Sequence, residues 1–213
     1  GRFQLARDHY RQALTISERR RDQAATSLDL GNLAAAHVGL GEIDEALRLY
    51  ERGLEVARAG GLAKDEADWL RGRAAALAWG GRYEDALGDL ESSARIYERA
   101  ELPRELSDAL AAIADTHLSL GNVGAVEATL RRATDLSRAL AHPRGVTTAL
   151  VGLGDLQMRR GQPALAAGSY ADALDRARAA GEQDLAARAA ARLSSARLGA
   201  GDLEAAERAA RIA

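Results

Sequence analysis

The sequence predicts an all-α chain built from repeated helical hairpins stacked one on the next as a solenoid. Three observations predict it: a 40-residue period of glycines, small and apolar residues at helical spacing on both sides of each glycine, and a palette of helix formers. The glycines are Gly1, Gly41, Gly81, Gly121, Gly161 and Gly201, in one register across all 213 residues. A fixed period of this length is the mark of a chain in which each unit buries its face on its neighbour.

The second helix of each unit follows its glycine. Five residues on stand Ala6, Ala46, Ala86, Val126, Ala166 and Ala206, where a small side chain lets two helix axes approach. Nine residues on stand Tyr10, Tyr50, Leu90, Leu130, Tyr170 and Ala210, and twelve on stand Ala13, Gly53, Ser93, Ala133, Ala173 and Ala213. Offsets of 5, 9 and 12 lie on one face of a helix. Acidic residues open these helices, as in Asp44-Glu45 and Glu84-Asp85, and Pro163 occupies the same first turn, where its missing N–H costs nothing.

The first helix precedes the glycine. Eleven, eight and seven residues before each one, the chain reads Leu30-Leu33-Ala34, Leu70-Arg73-Ala74, Leu110-Ile113-Ala114, Leu150-Leu153-Gly154 and Ala190-Leu193-Ser194. The face is apolar with a small centre. Arg73 stands out as a charge in an apolar column, and Arg197 takes the place of a bulky packing residue, so looser or different packing is expected around both. Gly60-Gly61, Leu102-Pro103, His142-Pro143 and Gly181 mark turns between units.

Composition agrees and narrows the function. Residues are 47% hydrophobic and 28% charged, with only 4% aromatic and three prolines, which suits close-packed helices better than strands. A net charge of -2 supplies no general attraction for a polyanion, so neither nucleic acid nor an acidic membrane is an expected partner. No apolar run reaches the length of a membrane span. The absence of Cys removes disulfides and thiolate chemistry and suits a reducing, cytoplasmic setting.

Taken together, the columns resemble the tetratricopeptide repeat family, in which a Leu-then-small pair, a turn Gly, then Ala, an aromatic and Ala recur. Leu33-Ala34, Gly41, Ala46, Tyr50 and Gly53 follow that pattern, as do Leu153-Gly154, Gly161, Ala166, Tyr170 and Ala173. The longer period is similar to the subclass found in kinesin light chains, cell-polarity adaptors and the regulatory arms of bacterial transcription regulators and signalling ATPases. The Ala- and Arg-rich composition also looks bacterial. The resemblance implies a right-handed superhelical solenoid, one repeat domain over residues 1–213, whose concave wall is made of first helices and binds a protein or peptide.

The face of those helices opposite the packing columns supplies the candidate groove: Asn32, Arg71, Trp79, Asp115, Asp155, Arg159, Arg188 and Arg192, interleaved with small residues such as Ala35 and Ala75. In the resembled subclass an Asn at the position of Asn32 holds a bound peptide's backbone; Gly72, Ala112, Gly152 and Arg192 occupy that column in the other repeats. Trp69 is expected to be structural.

No enzyme, cofactor or metal site is expected. Asp115 and Asp155 share a column, but no nucleophile or oxyanion donor accompanies them. His37 and His117 sit two repeats apart at the hairpin interface and read as satisfied packing residues, and Gly152-Leu153-Gly154 lies inside a helix without a phosphate-loop pattern.

Because Gly1 is a turn residue and Ala213 falls within a helix, the sequence reads as a piece of a longer protein, with incomplete terminal repeats open to self-association. A second reading is therefore the sensory arm of a larger transcription regulator or nucleotide-binding switch. A pheromone-receptor reading wants an Asn-rich groove, and a single Asn argues against it.

Overall fold

The computed structural model describes residues 2–211; Gly1 and Ala213, to which the sequence assigns a turn and a packing position, lie outside the described residues. Among the described residues every regular element is an α-helix. They are α1 Arg2–Arg19, α2 Gln23–Gly39, α3 Ile43–Ala59, α4 Ala63–Trp79, α5 Tyr83–Arg99, α6 Pro103–Ser119, α7 Val123–Ala139, α8 Pro143–Arg159, α9 Pro163–Ala179, α10 Gln183–Gly199 and α11 Leu203–Ala210. The even-numbered helices are the first helices of the hairpins.

Every helix from α2 to α10 has 17 residues, and three residues join each to the next. The physical repeat is thus 20 residues, half the period that the glycines reveal. At the middle of each connection the backbone is left-handed: Gly41, Gly61, Gly81, Gly121, Gly161, Gly181 and Gly201 have φ between 63° and 80°, and Arg21, Glu101 and Ala141 adopt the same state at 55°, 54° and 47°. That conformation lets two amides turn back onto the helix just ended. The Glu42 amide donates to the His37 carbonyl and the Gly41 amide to that of Val38, both at 2.9 Å, and Leu62 with Gly61, Asn122 with Gly121 and Asp202 with Gly201 repeat the pair. These are Schellman caps, which satisfy carbonyls that the helix end leaves open.

The chain packs as two compact units, Gly1–Glu101 and Leu102–Ala213. In the first, α1 to α5 pack in sequence, and α2 also touches α4. In the second, α6 to α11 pack in sequence, and α8 touches both α6 and α10. First helices therefore stand side by side within each unit, and each second helix lies against the first helices that flank it.

The predicted packing columns fill the interiors. Ala46, Ala86, Val126, Ala166 and Ala206 are at most 2% exposed, so the offset-5 column is the point of closest helix approach. Leu30, Leu54 and Leu156 are buried almost completely, each contributing about 1.5–3 kcal/mol by leaving water. Glycines inside the helices make room for rings. A Cβ on Gly154 would lie 2.5 Å from the Tyr170 ring, and one on Gly72 would lie 2.6 Å from that of Tyr50. Trp69 fills the space over Gly53 and meets Tyr50 edge-on at 6.0 Å, which makes it the structural residue expected.

Of the looser or different packing expected at Arg73, the structure has the different kind. Its guanidinium forms a two-pronged pair with Asp89 of α5, Nε to Oδ2 at 2.7 Å and Nη2 to Oδ1 at 2.8 Å, and reaches Glu51 of α3 at 3.5 Å. A planar fork matched to a carboxylate replaces apolar contact at this interface. Arg197 likewise pairs with Asp202 at 3.2 Å.

Two stability predictions follow from these contacts. No atom lies near a Cβ placed on Gly81, whose φ is 78°, so Gly81→Ala isolates backbone strain. Denaturant melts should show a loss of about 1–2 kcal/mol, and Ala141→Gly should gain about 0.5–1 kcal/mol once the entropy of a new glycine is subtracted. Asp89→Ala strands the Arg73 charge and should cost about 2–3 kcal/mol, whereas the Arg73→Leu, Asp89→Leu double variant should recover most of it.

Candidate binding faces of the first helices

The side-by-side first helices give each unit a continuous face. In the first unit, Leu28, Ala35, Arg71, Ala75 and Trp79 are exposed on α2 and α4, and Trp79 is 72% accessible. Asn32 is half-buried between the same two helices. It lines a cavity of about 300 Å³ with Asp65 and Asp68 on its walls and Tyr50 and Trp69 in its floor. Arg71 lies 3.9 Å from Asp68, which also takes Lys64 at 2.6 Å.

In the second unit, Asp155 of α8 is the organising residue. Its Oδ1 accepts a hydrogen bond from the Tyr170 hydroxyl of α9 at 2.5 Å and lies 3.3 Å from Arg192 of α10. Arg188, one turn before Arg192, bears on the same hydroxyl. Three helices are joined through one carboxylate whose side chain is only 11% exposed. Asp115 of α6 and Arg159 of α8 are exposed on this face, and their side chains form no ion pair or hydrogen bond among the described residues.

Asp68 plays the corresponding part in the first unit, accepting from the Tyr97 hydroxyl at 2.6 Å. Burial, reinforced by Asp68, pushes Tyr97 up to about 12, and burial with Asp155 raises Tyr170 further. These carboxylates are occupied as acceptors, so they fix first helices to second helices and present guanidinium groups outward. They are not placed as acid–base catalysts. Among the described residues no three His, Asp or Glu side chains converge as a metal cage, and no helix is long and apolar enough to cross a membrane.

His37 is buried and satisfied, with Nδ1 2.6 Å from Glu42 Oε2, as expected. His117 departs from that expectation. Its buried Nδ1 has no hydrogen-bond partner, because Asn122 stands where Glu42 follows His37.

Sequence reasoning did not single out Asp65, and Tyr50 packs in the column expected of it while its hydroxyl borders the cavity. Asp65 falls in the first turn of α4, where an acid is already accounted for by the helix dipole. Tyr50 occupies a packing column, but its repeat has Ala35 where the repeat of Tyr170 has Asp155. That difference is visible in the sequence and marks a hydroxyl without its carboxylate.

Residues 1–59 match the tetratricopeptide repeat family model. No curated protein matches the sequence. Among solved structures, the chain is similar to BtubC (BKLC) from P. vanneervenii, with a TM-score of 0.78 and 19% identity over 100% of this chain and 91% of that one. It is also similar to the Rap conjugation gene regulator of plasmid pLS20 in complex with the Phr* peptide, with a TM-score of 0.73 and 14% identity over 88% of this chain and 51% of that one. A third is a signal transduction ATPase with a tetratricopeptide repeat sensor from Pyrococcus horikoshii, with a TM-score of 0.70 and 16% identity over 87% of this chain and 29% of that one.

The tyrosine contacts make stability pH-dependent with a definite sign. Each hydroxyl has a folded pKa above the unfolded value of 10.0, so the unfolded chain ionises first. Stability should be complete below pH 10 and fall as pH rises through about 12, following tyrosinate absorbance, and Tyr97→Phe with Tyr170→Phe should flatten the fall. The matching 40-residue register, the hairpins of both units and these structural likenesses agree: the chain has the all-α, tetratricopeptide-like helical repeat fold.

Proposed function

We propose that the chain is a protein- or peptide-binding scaffold whose ligand lies along the exposed faces of the first helices. The observation that carries this reading is the build of those faces. Charged and amide heads, Asn32 and Arg71 in one unit and Asp155, Arg188 and Arg192 in the other, stand beside the short side chains of Ala35, Ala75 and Ala112. Short neighbours leave room for a ligand's main chain, and the heads supply directional hydrogen bonds.

The likeness to a Rap regulator solved with a peptide supports the reading, since a closely similar stack of helices accommodates a peptide there. Among the described residues the face assembles no nucleophile, base and oxyanion donor together, and binding is the task we propose for it. Both the cytoplasmic setting and the bacterial source belong to the same proposal.

A second reading is that this binding is the input of a larger signalling switch. It is favoured by the likeness to an ATPase whose repeats are described as a sensor. The sequence of the parent gene decides it: an adjoining P-loop or helix-turn-helix segment supports a sensory arm, and repeats alone argue against it.

Calorimetric titration of the chain with members of a peptide library tests the main reading. Asn32→Ala, Arg71→Ala, Asp155→Asn and Arg192→Ala should each weaken the best binders by roughly tenfold. Asp155→Asn keeps an acceptor for Tyr170 but removes the charge that faces Arg192, so its titration is paired with a thermal melt to separate loss of binding from loss of stability. Unchanged affinity in all four variants sinks the assignment.

A further inference from the structure

The polar groups buried between helices are partnered almost everywhere, which makes one cavity stand apart. Tyr97 and Tyr170 donate to carboxylates, Ser93 donates to the Ala67 carbonyl at 2.8 Å, and Arg73 is held by Asp89. The cavity of about 300 Å³ between α2 and α4 is lined by the Asn32 amide, the Tyr50 hydroxyl and the Asp65 carboxylate, and none forms a hydrogen bond or ion pair among the described residues. All three are partly exposed, so each keeps hydrogen-bonding capacity facing one space that a ligand can enter.

The chemistry of the lining defines that partner. The residues that line the cavity include two carboxylates and no cation; Lys64 and Arg71 stand beside it on Asp68. Asp68 is already engaged by Tyr97 and Lys64, so Asp65 is the carboxylate with capacity to spare. The floor is aromatic. Trp69 and Tyr50 meet edge-on, and the Trp69 ring, itself only 8% exposed, borders the space next to Gly31, whose Cβ would lie 3.7 Å from it. A cation on an aliphatic stem satisfies all of these at once: the stem lies on the rings, the charge meets Asp65, and the amide of Asn32 serves a neighbouring peptide group.

The space also continues past Asp65. A second cavity of about 570 Å³ shares Ser27, Asp65 and Trp69 with the first and runs between the start of α2 and the end of α3, over Val56 and Leu62. Asp65 therefore stands at the junction of a cleft long enough to admit a side chain and the residue that follows it. Burial holds Tyr50 protonated well above neutral pH, so its hydroxyl remains a neutral donor and acceptor there.

We infer that this cleft is a receptor for a basic side chain, arginine or lysine, of a bound peptide, with Asp65 as its counter-ion, Trp69 and Tyr50 as its floor and Asn32 as its clamp on the adjoining peptide group. This rests on the reading of the chain as a peptide binder and names the ligand's anchoring residue. It also assigns roles to Asp65 and Tyr50 that the column analysis leaves out.

The test uses capped single residues, whose binding does not depend on knowing the natural peptide. Acetyl-arginine methylamide is titrated into the chain and the Trp69 indole N–H resonance is followed by NMR, with the neutral acetyl-norleucine methylamide as control. The expected result is a saturable shift of Trp69 with the arginine compound, at least ~10-fold weaker binding of the norleucine compound, and a ~10-fold loss of arginine affinity in Asp65→Asn. Equal affinity for the two compounds, no shift at Trp69, or undiminished arginine binding by Asp65→Asn overturns the inference.

The two proposals fail separately. Library peptides that depend on Arg71 and Arg192 but are indifferent to Asp65→Asn uphold the binding face and remove this pocket. Arginine binding at Asp65 without any peptide response to the face variants upholds the pocket and removes the face.

Discussion

Everything in this structure depends on one backbone event, a residue in the left-handed region every 20 positions. From Arg21 to Gly201 a left-handed residue follows each helix, and at nine of the ten reversals both cap bonds close the last carbonyls and send the chain back along its own length. Because the reversals are equally spaced, the helices between them are equally long, and equal length sets each packing column at the same height in successive hairpins. Seven of the ten positions are glycines, for which the conformation is free of strain. At Arg21, Glu101 and Ala141 a side chain is held there against its preference, and the caps on either side are what hold it.

The second level of organisation is what crosses between helices. Small residues at the offset-5 column bring axes together, and glycines at positions 53, 72 and 154 admit rings from the facing helix. The tyrosines among the packed rings carry hydroxyls, and burying a hydroxyl without a partner is costly. Asp68 and Asp155 answer that demand for Tyr97 and Tyr170, and each lies on a first helix at the edge of the exposed face. The outward array of arginines is therefore tied to the interior through the same carboxylates. Where the answering carboxylate is missing, at Tyr50, a cavity takes its place.

Much of this was legible in the residues. Six glycines in register predict the hairpins, and the columns around them predict the core. The turns between hairpins are marked less uniformly, by glycine at positions 61 and 181 and by Leu102-Pro103 and His142-Pro143 elsewhere, so the sequence shows a 40-residue period more plainly than the 20-residue one. Helical periodicity also predicts which side chains share the first-helix face, and Arg71, Arg188, Arg192 and Trp79 are exposed there. It does not predict which of them meet. The contact of Asp155 with Arg192 depends on how α8 crosses α10, and a column in one dimension carries no crossing angle. Whether Arg73 loosens its interface or packs differently stays open in the sequence because a single column shows one side of an interface; its partner Asp89 lies 16 residues on, outside the columns. Asp65 escaped notice for a similar reason, since an acid in a first turn already has an explanation.

The central claim is that ligands are held on the first helices and not on the outward surfaces of the second. A peptide ligand carrying a photoreactive residue, cross-linked to the chain and mapped by mass spectrometry, tests this most directly. The account predicts attachment on α2 and α4 or on α8 and α10, at or beside Asn32, Asp65, Asp155 and Arg192. Attachment concentrated on exposed second-helix residues such as Arg48, Arg95 and Arg131 would contradict it.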